Sequence, residues 1–316
     1  MDALVTGGTG FVGRALVAEL RRRGHAVRCA VRAARGEPSS VVVGDLSQPI
    51  NWSAALAGID TVFHLAGRVH EPREDDVARE AFRLVNVNAT AALAKAAARA
   101  GVRRFVFVSS VKAAGEVSAQ PLREDDETQP RDLYGKSKQA AEWALGQAMK
   151  DTGSPMAVTI VRAPLVYGPG VGANFQTLLR LADSPWPLPL GAATAPRSFV
   201  FVGNLVDALI AAADRGRAGV EIYYVSDGQD LPVADLVRRM RGALNRAPRL
   251  WPIPSPLAAA AVRLVGRGDL ADRLFSPLQV DPSKIQRDLG WRPPFPVDQA
   301  LRMTTEAYVR TRGENA

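Results

Sequence analysis

Thr6-Gly7-Gly8-Thr9-Gly10-Phe11-Val12-Gly13 is the stretch on which the fold turns. It follows an apolar run at residues 2–6 and opens an amphipathic run at residues 11–23, so a strand passes into a helix through a glycine turn. Gly8, Gly10 and Gly13 satisfy Gly-x-Gly-x-x-Gly, while Gly7, Gly10 and Gly13 satisfy Gly-x-x-Gly-x-x-Gly. A tight turn, a backbone brought close to a pyrophosphate and a helix packed hard on a strand each require a residue without a side chain. Amides at the start of the helix then receive the anion. A dinucleotide site is expected, with Gly7, Gly10, Phe11, Val12 and Gly13 in its wall.

Outward from this turn, the first 165 residues alternate strands with amphipathic helices. Strands are predicted at 2–6, 26–31, 41–43, 61–65, 104–109 and 157–162, and helices at 11–23, 77–100 and 135–152. This alternation is the signature of a parallel sheet covered on both faces. The predicted class is α/β, a doubly wound Rossmann sheet with a smaller C-terminal lobe that binds substrate. After Arg162, prolines and glycines cluster at 163–170 and 185–189, which predicts long shaped loops. Strand-like segments at 198–202 and 222–225 are expected to rejoin the sheet, and 232–244, 255–264 and 297–309 read as helices of the smaller lobe. Residues 1–165 thus form the expected dinucleotide domain, with 198–228 returning to it, while 166–197 and 229–316 form the substrate lobe.

Bulk properties narrow the functional classes. The 316 residues include one cysteine, Cys29, which excludes an internal disulfide and a thiolate cluster and leaves packing as its role. The start, Met1-Asp2-Ala3-Leu4-Val5, lacks the charged and apolar regions of a signal peptide, so a cytoplasmic location is expected. No stretch reaches the roughly 20 apolar residues of a membrane helix, and no membrane span is predicted. The net charge of +8 raises the question of nucleic acid. The arginines are scattered, however, and Arg21-Arg22-Arg23 lies where a helix C-terminus favours cations. Anionic small ligands, not nucleic acid, are the expected partners.

Nineteen residues past Gly13, the acidic residue that would hold the adenosine ribose is absent, and Arg32 and Arg35 stand in its place. Cations there suit a 2′-phosphate, which favours NADP with NAD as the alternative, although ordinary surface arginines would look the same. Asp45, followed by Leu46, falls after the third strand within reach of an adenine amino group. Tyr134-Gly135-Lys136-Ser137-Lys138 contains Tyr-x-x-x-Lys at a helix start, a spacing that puts both side chains on one face. An ammonium beside a phenol of ordinary pKa about 10 is expected to draw it toward the working range of an acid or base. Ser110, 24 residues upstream, ends a strand where parallel sheets present their ligands. His64 and His70 lack partners at metal-ligand spacing and read as structural, so no metal site is expected. Trp186, among prolines, reads as a core aromatic or as a cover for a nucleotide base.

These segments, with His64-Leu65-Ala66-Gly67-Arg68, Asn86-Val87-Asn88-Ala89-Thr90, Arg162-Ala163-Pro164, Tyr167-Gly168-Pro169-Gly170, Arg197-Ser198-Phe199-Val200 and Leu289-Gly290-Trp291-Arg292-Pro293, carry a resemblance. The chain resembles the extended short-chain dehydrogenase/reductases, also called the NAD-dependent epimerase/dehydratase family, over essentially its full length. The resemblance implies that Ser110, Tyr134 and Lys138 are catalytic and that Leu65, Ala66, Gly67, Asn86 and Val108 line the cofactor. It also implies that Arg68, Lys112, Asn174 and Arg197 reach a UDP-sugar, with Asn174 and Arg197 at its diphosphate. Asn174 as a helix cap and Lys112 in solvent are the plainer alternatives. A homodimer through helices 77–100 and 135–152 is implied as well.

Family dehydratases carry Asp-Glu where this chain has Val111 and Lys112, which argues against dehydration. The 64–70 stretch with Ser109-Ser110-Val111-Lys112 and Gly115-Glu116 resembles the UDP-glucose 4-epimerase-like subgroup, which includes 4-keto-sugar reductases. Because Arg32 points to exchangeable NADPH, the preferred expectation is reduction of UDP-2-acetamido-2,6-dideoxy-hexos-4-ulose at C4. A UDP-hexose 4-epimerase is the alternative. A non-catalytic dinucleotide sensor and a steroid or flavonoid ketone reductase are further ones.

Overall fold

β1 (Asp2–Thr6) passes through the glycine turn into α1 (Phe11–Arg22) in a computed structural model that describes residues 1–34, 39–69, 75–264 and 268–314. The chain continues through β2 (Ala26–Val31), β3 (Ser40–Val42), α2 (Ser53–Leu56), β4 (Thr61–His64), α3 (Asp76–Phe82), α4 (Ala89–Arg99) and β5 (Arg104–Ser110). Next come α5 (Leu133–Thr152), β6 (Ala157–Ala163), β7 (Leu165–Tyr167), α6 (Ala173–Ala182), β8 (Pro196–Arg197), β9 (Phe199–Phe201) and α7 (Val202–Arg215). The remainder is β10 (Gly219–Tyr224), β11 (Leu231–Pro232), α8 (Val233–Ala243), α9 (Ser255–Leu264), α10 (Gly268–Phe275), α11 (Ser283–Leu289) and α12 (Val297–Glu314).

Seven strands pair in parallel in the order β10-β6-β5-β4-β1-β2-β3. Period-two burial makes the two faces. Ala3, Val5, Phe63, Val106 and Val161 join one core with α1 and α7, while Leu4, Val62, Phe105, Phe107 and Ile160 join the other with α4 and α5. Each large apolar side chain so buried contributes roughly 1.5–3 kcal/mol. From β1 the chain works outward to β2 and β3, then crosses to β4 on the other side of β1. The order reverses between β1 and β4, and ligands of such sheets bind in the crevice beyond the strand ends at that point.

Three features depart from the sequence pattern. Segment 198–202 does not rejoin the main sheet: β9 pairs with β7, because Pro164 ends β6 and β10 occupies the edge beside it. The helix expected over 77–100 is one rod whose middle, Arg83–Asn88, widens into a π-helix. Residues 202–215, where no element is expected, form α7, whose Leu205, Val206, Leu209 and Ile210 pack toward α1 and β5. Trp186 is 73% exposed and is no core aromatic, whereas Cys29 is buried in β2 as expected.

Candidate active site

The glycine turn fits a pyrophosphate by two observations. Gly7 sits at φ +72, and a Cβ on it would lie 2.7 Å from the Ala66 nitrogen, while a Cβ on Gly13 would drive into the Gly7 carbonyl oxygen. Only bare backbone closes this turn. Second, α1 starts at Gly10 with no side-chain cap and no acidic residue in its first turn, so the positive end of the helix is left to an external anion. Phe11 and Val12 are half-buried behind it.

Across the crevice, Leu65, Ala66, Gly67 and Arg68 follow β4. They are held by a relay through His64. The Ala66 amide donates to Thr6 Oγ1 at 3.2 Å, which lies 2.6 Å from His64 Nδ1; His64 Nε2 lies 2.9 Å from Thr90 Oγ1, which donates to the Asn86 carbonyl. Since Thr90 gives its proton to the Asn86 carbonyl, Nε2 of the neutral ring carries the proton, and Nδ1 accepts from the Thr6 hydroxyl. Burial, then the Lys138 charge, holds His64 down to about 3, so it is neutral and structural. Asn86 Oδ1 accepts from the Arg68 amide at 2.7 Å, and Nδ2 donates to the Arg68 carbonyl and to Ser137 Oγ, each at 2.9 Å. Asn86 lies within the π turn Arg83–Asn88 and is buried there.

At the adenosine end, Arg32 is exposed and its Nε lies 3.9 Å from an Asp45 carboxylate oxygen. The other Asp45 oxygen accepts from the Ser47 amide at 2.8 Å, and Leu46 packs on the second core. Arg35 and His70 lie outside the described residues.

β5 ends at Ser110, whose Oγ accepts from the Lys112 amide at 3.2 Å. Tyr134 occupies the first turn of α5, which Asp132 caps by accepting from the Gly135 amide at 2.7 Å. Lys138 follows one turn later and is buried; its Nζ donates to the Val108 carbonyl at 2.9 Å and lies 4.5 Å from the centre of the Phe107 ring. The Ser110 hydroxyl acts on the Tyr134 phenol to lower its pKa, and the Lys138 ammonium would lie 3.6 Å from a Cβ on Gly67. Ser110 of β5 and the Tyr134–Lys138 pair of α5 thus meet at the mouth of the crevice.

The electrostatics correct one expectation. Tyr134 is not drawn down by Lys138 but pushed up to about 12, by burial first, with the Ser110 hydrogen bond opposing and the Asp132 charge adding. Desolvation dominates, and the Lys138 ammonium donates to the Val108 carbonyl. Lys138 is itself lowered to about 8 by burial, against the pull of Glu142. Beneath it lies a buried network unforeseen from sequence: Arg162 forks onto Glu142 at 2.7–3.2 Å, Ser109 Oγ donates to Glu142 at 2.5 Å, and Arg162 donates to the Tyr224 hydroxyl at 3.0 Å.

The expected substrate residues are more dispersed. Arg68 is exposed. Lys112 pairs with Asp132 and, at 3.1 Å, with Glu116, so its ammonium meets carboxylates instead of open solvent. Arg197, on β8, donates to the carbonyls of Ser276 at 2.5 Å and Asp272 at 3.3 Å. Asn174 lies in the first turn of α6, whose N-cap is Gly172. Among the described residues, no three His, Cys, Asp or Glu side chains gather as metal ligands, and no helix is long and apolar enough to cross a membrane. Of the residues not anticipated, Asp132 had a readable signal: an Asp two positions before Tyr134 at a helix start is a cap.

The sequence model of the NAD dependent epimerase/dehydratase family matches residues 3–226. The chain belongs to that family. Members similar to it include a UDP-glucose 4-epimerase of Vibrio cholerae, 38% identical over 318 residues that cover 97% of this chain and 95% of the relative. A 3β-hydroxysteroid dehydrogenase/Δ5→4-isomerase of Mycobacterium tuberculosis is 31% identical over 342 residues, covering 97% and 90%. Among solved structures, MoeE5 in complex with UDP-glucose and NAD aligns with TM-score 0.78 at 27% identity, over 99% of this chain and 100% of the other. The chain is therefore an enzyme of an NAD(P)-dependent epimerase/dehydratase type on a Rossmann fold.

Proposed function

We propose that the chain is a UDP-hexose 4-epimerase working with NAD. What carries this reading is the convergence of Ser110, Tyr134 and Lys138 beside the glycine crevice, in a chain similar end to end to a UDP-glucose 4-epimerase. The preference for net reduction, drawn from Arg32, gives way. With the Asp45 carboxylate 3.9 Å away, that guanidinium already has an anionic neighbour, which weakens its claim on a 2′-phosphate. MoeE5, of the same architecture, is seen with UDP-glucose and NAD.

When bound, the oxidised dinucleotide supplies a hydride acceptor for the sugar C4 and a positively charged ring. Gly7, Gly10, Gly13 and the first amides of α1 would hold its pyrophosphate, and Ala66, Gly67, Val108 and Lys138 its other end. The chain handles the proton. Tyr134 takes it from the C4 hydroxyl and returns it to the same oxygen after the configuration has inverted. Ser110, which lowers the phenol's pKa, would hold that oxygen in line. Lys138, lowered only to about 8, keeps its charge at neutral pH one turn along the same helix. Arg197 and Asn174 are proposed to meet the diphosphate, and 166–197 with 229–316 to form the substrate lobe.

A second reading, the NADPH-dependent 4-keto-sugar reductase, is favoured by one observation: a cation, not a carboxylate, stands at the end of β2. Incubation with UDP-glucose and NAD separates the two. Formation of UDP-galactose is expected, and Tyr134→Phe should lower its rate by about 10²–10⁴ while leaving NAD affinity near wild type. No UDP-galactose, with NADPH consumed on the UDP-4-keto-6-deoxy sugar, would transfer the assignment to the second reading.

A further inference from the structure

Ser110 and Tyr134 come from segments 24 residues apart, and their mutual placement is fixed by something other than the helix and strand that bear them. A chain of contacts, crossing once at Lys112–Asp132, links the segments. Ser110 caps a 3₁₀ turn, Val111–Ala113, by accepting the Lys112 amide at 3.2 Å. The Lys112 ammonium crosses to Asp132 and also takes Glu116 at 3.1 Å. Asp132 uses its other oxygen to cap α5 at the Gly135 amide, 2.7 Å away. The backbones approach so closely here that a Cβ on Gly135 would drive into the Lys112 carbonyl oxygen.

We infer that Lys112 is a positioning residue: its ammonium clasps the Ser110 turn to the first turn of the Tyr134 helix and neutralises the carboxylate whose charge reaches the phenol. The inference rests on the proton-shuttle role proposed for Tyr134. All three side chains of the clasp are partly buried, between 20% and 27% exposed, so the ion pairs are shielded from full solvent screening. The groups around the phenol are few. Ser110 faces it from the end of β5 and lowers it, Asp132 from the loop before α5 raises it, and α3 contributes only the Phe82 ring, 6.4 Å between centroids. Lys112 and Glu116 lie behind Asp132, and Lys138 and Glu142 lie further along α5. An unscreened Asp132 would therefore raise Tyr134 further, against the opposing pull of Ser110. An ordinary surface lysine would do nothing of the kind.

The test reads Tyr134 without turnover. In NAD-loaded protein, the phenolate is titrated by ultraviolet difference absorbance for wild type, Lys112→Met, Asp132→Asn and the double variant, each referenced to its own Tyr134→Phe counterpart. Asn still caps a helix, so Asp132→Asn removes the charge and keeps the turn. Lys112→Met should move the midpoint up, and Asp132→Asn down, each by about half a pH unit or more. The double variant should match Asp132→Asn, and Lys112→Arg should restore the wild-type midpoint. The inference is overturned by a Lys112→Met midpoint equal to wild type, or by a shift that persists undiminished in the Asp132→Asn background. It is equally overturned if Lys112→Met only raises KM for UDP-glucose, the mark of a substrate contact. Because the titration needs no reaction, an absence of epimerase activity would count against the proposed function and leave this result standing.

Discussion

His64 is sealed between Thr6 and Thr90, with both ring nitrogens committed and a pKa held near 3 by burial. Its folded value lies below the ordinary 6.5, so the fold prefers the neutral ring. The unfolded chain binds a proton that the folded one refuses. Stability from this residue is therefore complete above about pH 6.5 and falls as pH drops toward 3, approaching about 1.4 kcal/mol per pH unit. Urea midpoints measured from pH 7 down to 5 should fall more steeply for wild type than for His64→Gln, which cannot titrate. Equal slopes would show that the ring is not kept neutral. Tyr134 stands under the same desolvation, and at this scale the reactivity of the site is a contest between burial and a few nearby charges.

α5 carries Tyr134 on its first turn and its anchor lower down. Glu142, one turn beyond Lys138, is forked by Arg162 of β6, and both side chains are buried. Glu142→Gln would leave Arg162 as an uncompensated buried charge and should destabilise by about 3–5 kcal/mol in urea denaturation. The double change Glu142→Leu with Arg162→Met should cost less than Glu142→Gln alone; additive losses would contradict the coupling. Elements with strong local periods were legible in the sequence. Residues 2–6 and 11–23 gave themselves away through the glycine turn, and Tyr134 with Lys138 through their spacing on a helix. The Glu142–Arg162 pair was not, since a helix and a strand meet there through tertiary packing that no local spacing encodes. Nor was the π turn at Asn86, because a helical pattern reads alike whether the turn is tight or wide. Helix α7 did carry an apolar stripe, Leu205, Val206, Leu209 and Ile210, but it follows β9 without a break and shares its apolar character.

Over the whole molecule, the reversal of strand order between β1 and β4 puts the glycine turn and the 65–68 wall on opposite sides of one crevice, and β5 with α5 bring Ser110, Tyr134 and Lys138 to its mouth. The outer face of α5 has a separate consequence. Trp143 is 69% exposed there, with Lys136 and Ala140 on the same stripe. Burying this face against a second copy would give the homodimer implied by the family resemblance. Sedimentation should then report a dimer for wild type and a monomer for Trp143→Glu; a monomeric wild type would refute it. The proposed epimerisation takes hydrogen from one sugar carbon and returns it there while Tyr134 moves the proton. Its most direct test is UDP-glucose carrying deuterium at C4, incubated with the protein and NAD. UDP-galactose with the label still on C4 is the predicted result, and product that has lost the label, or no product, would contradict it.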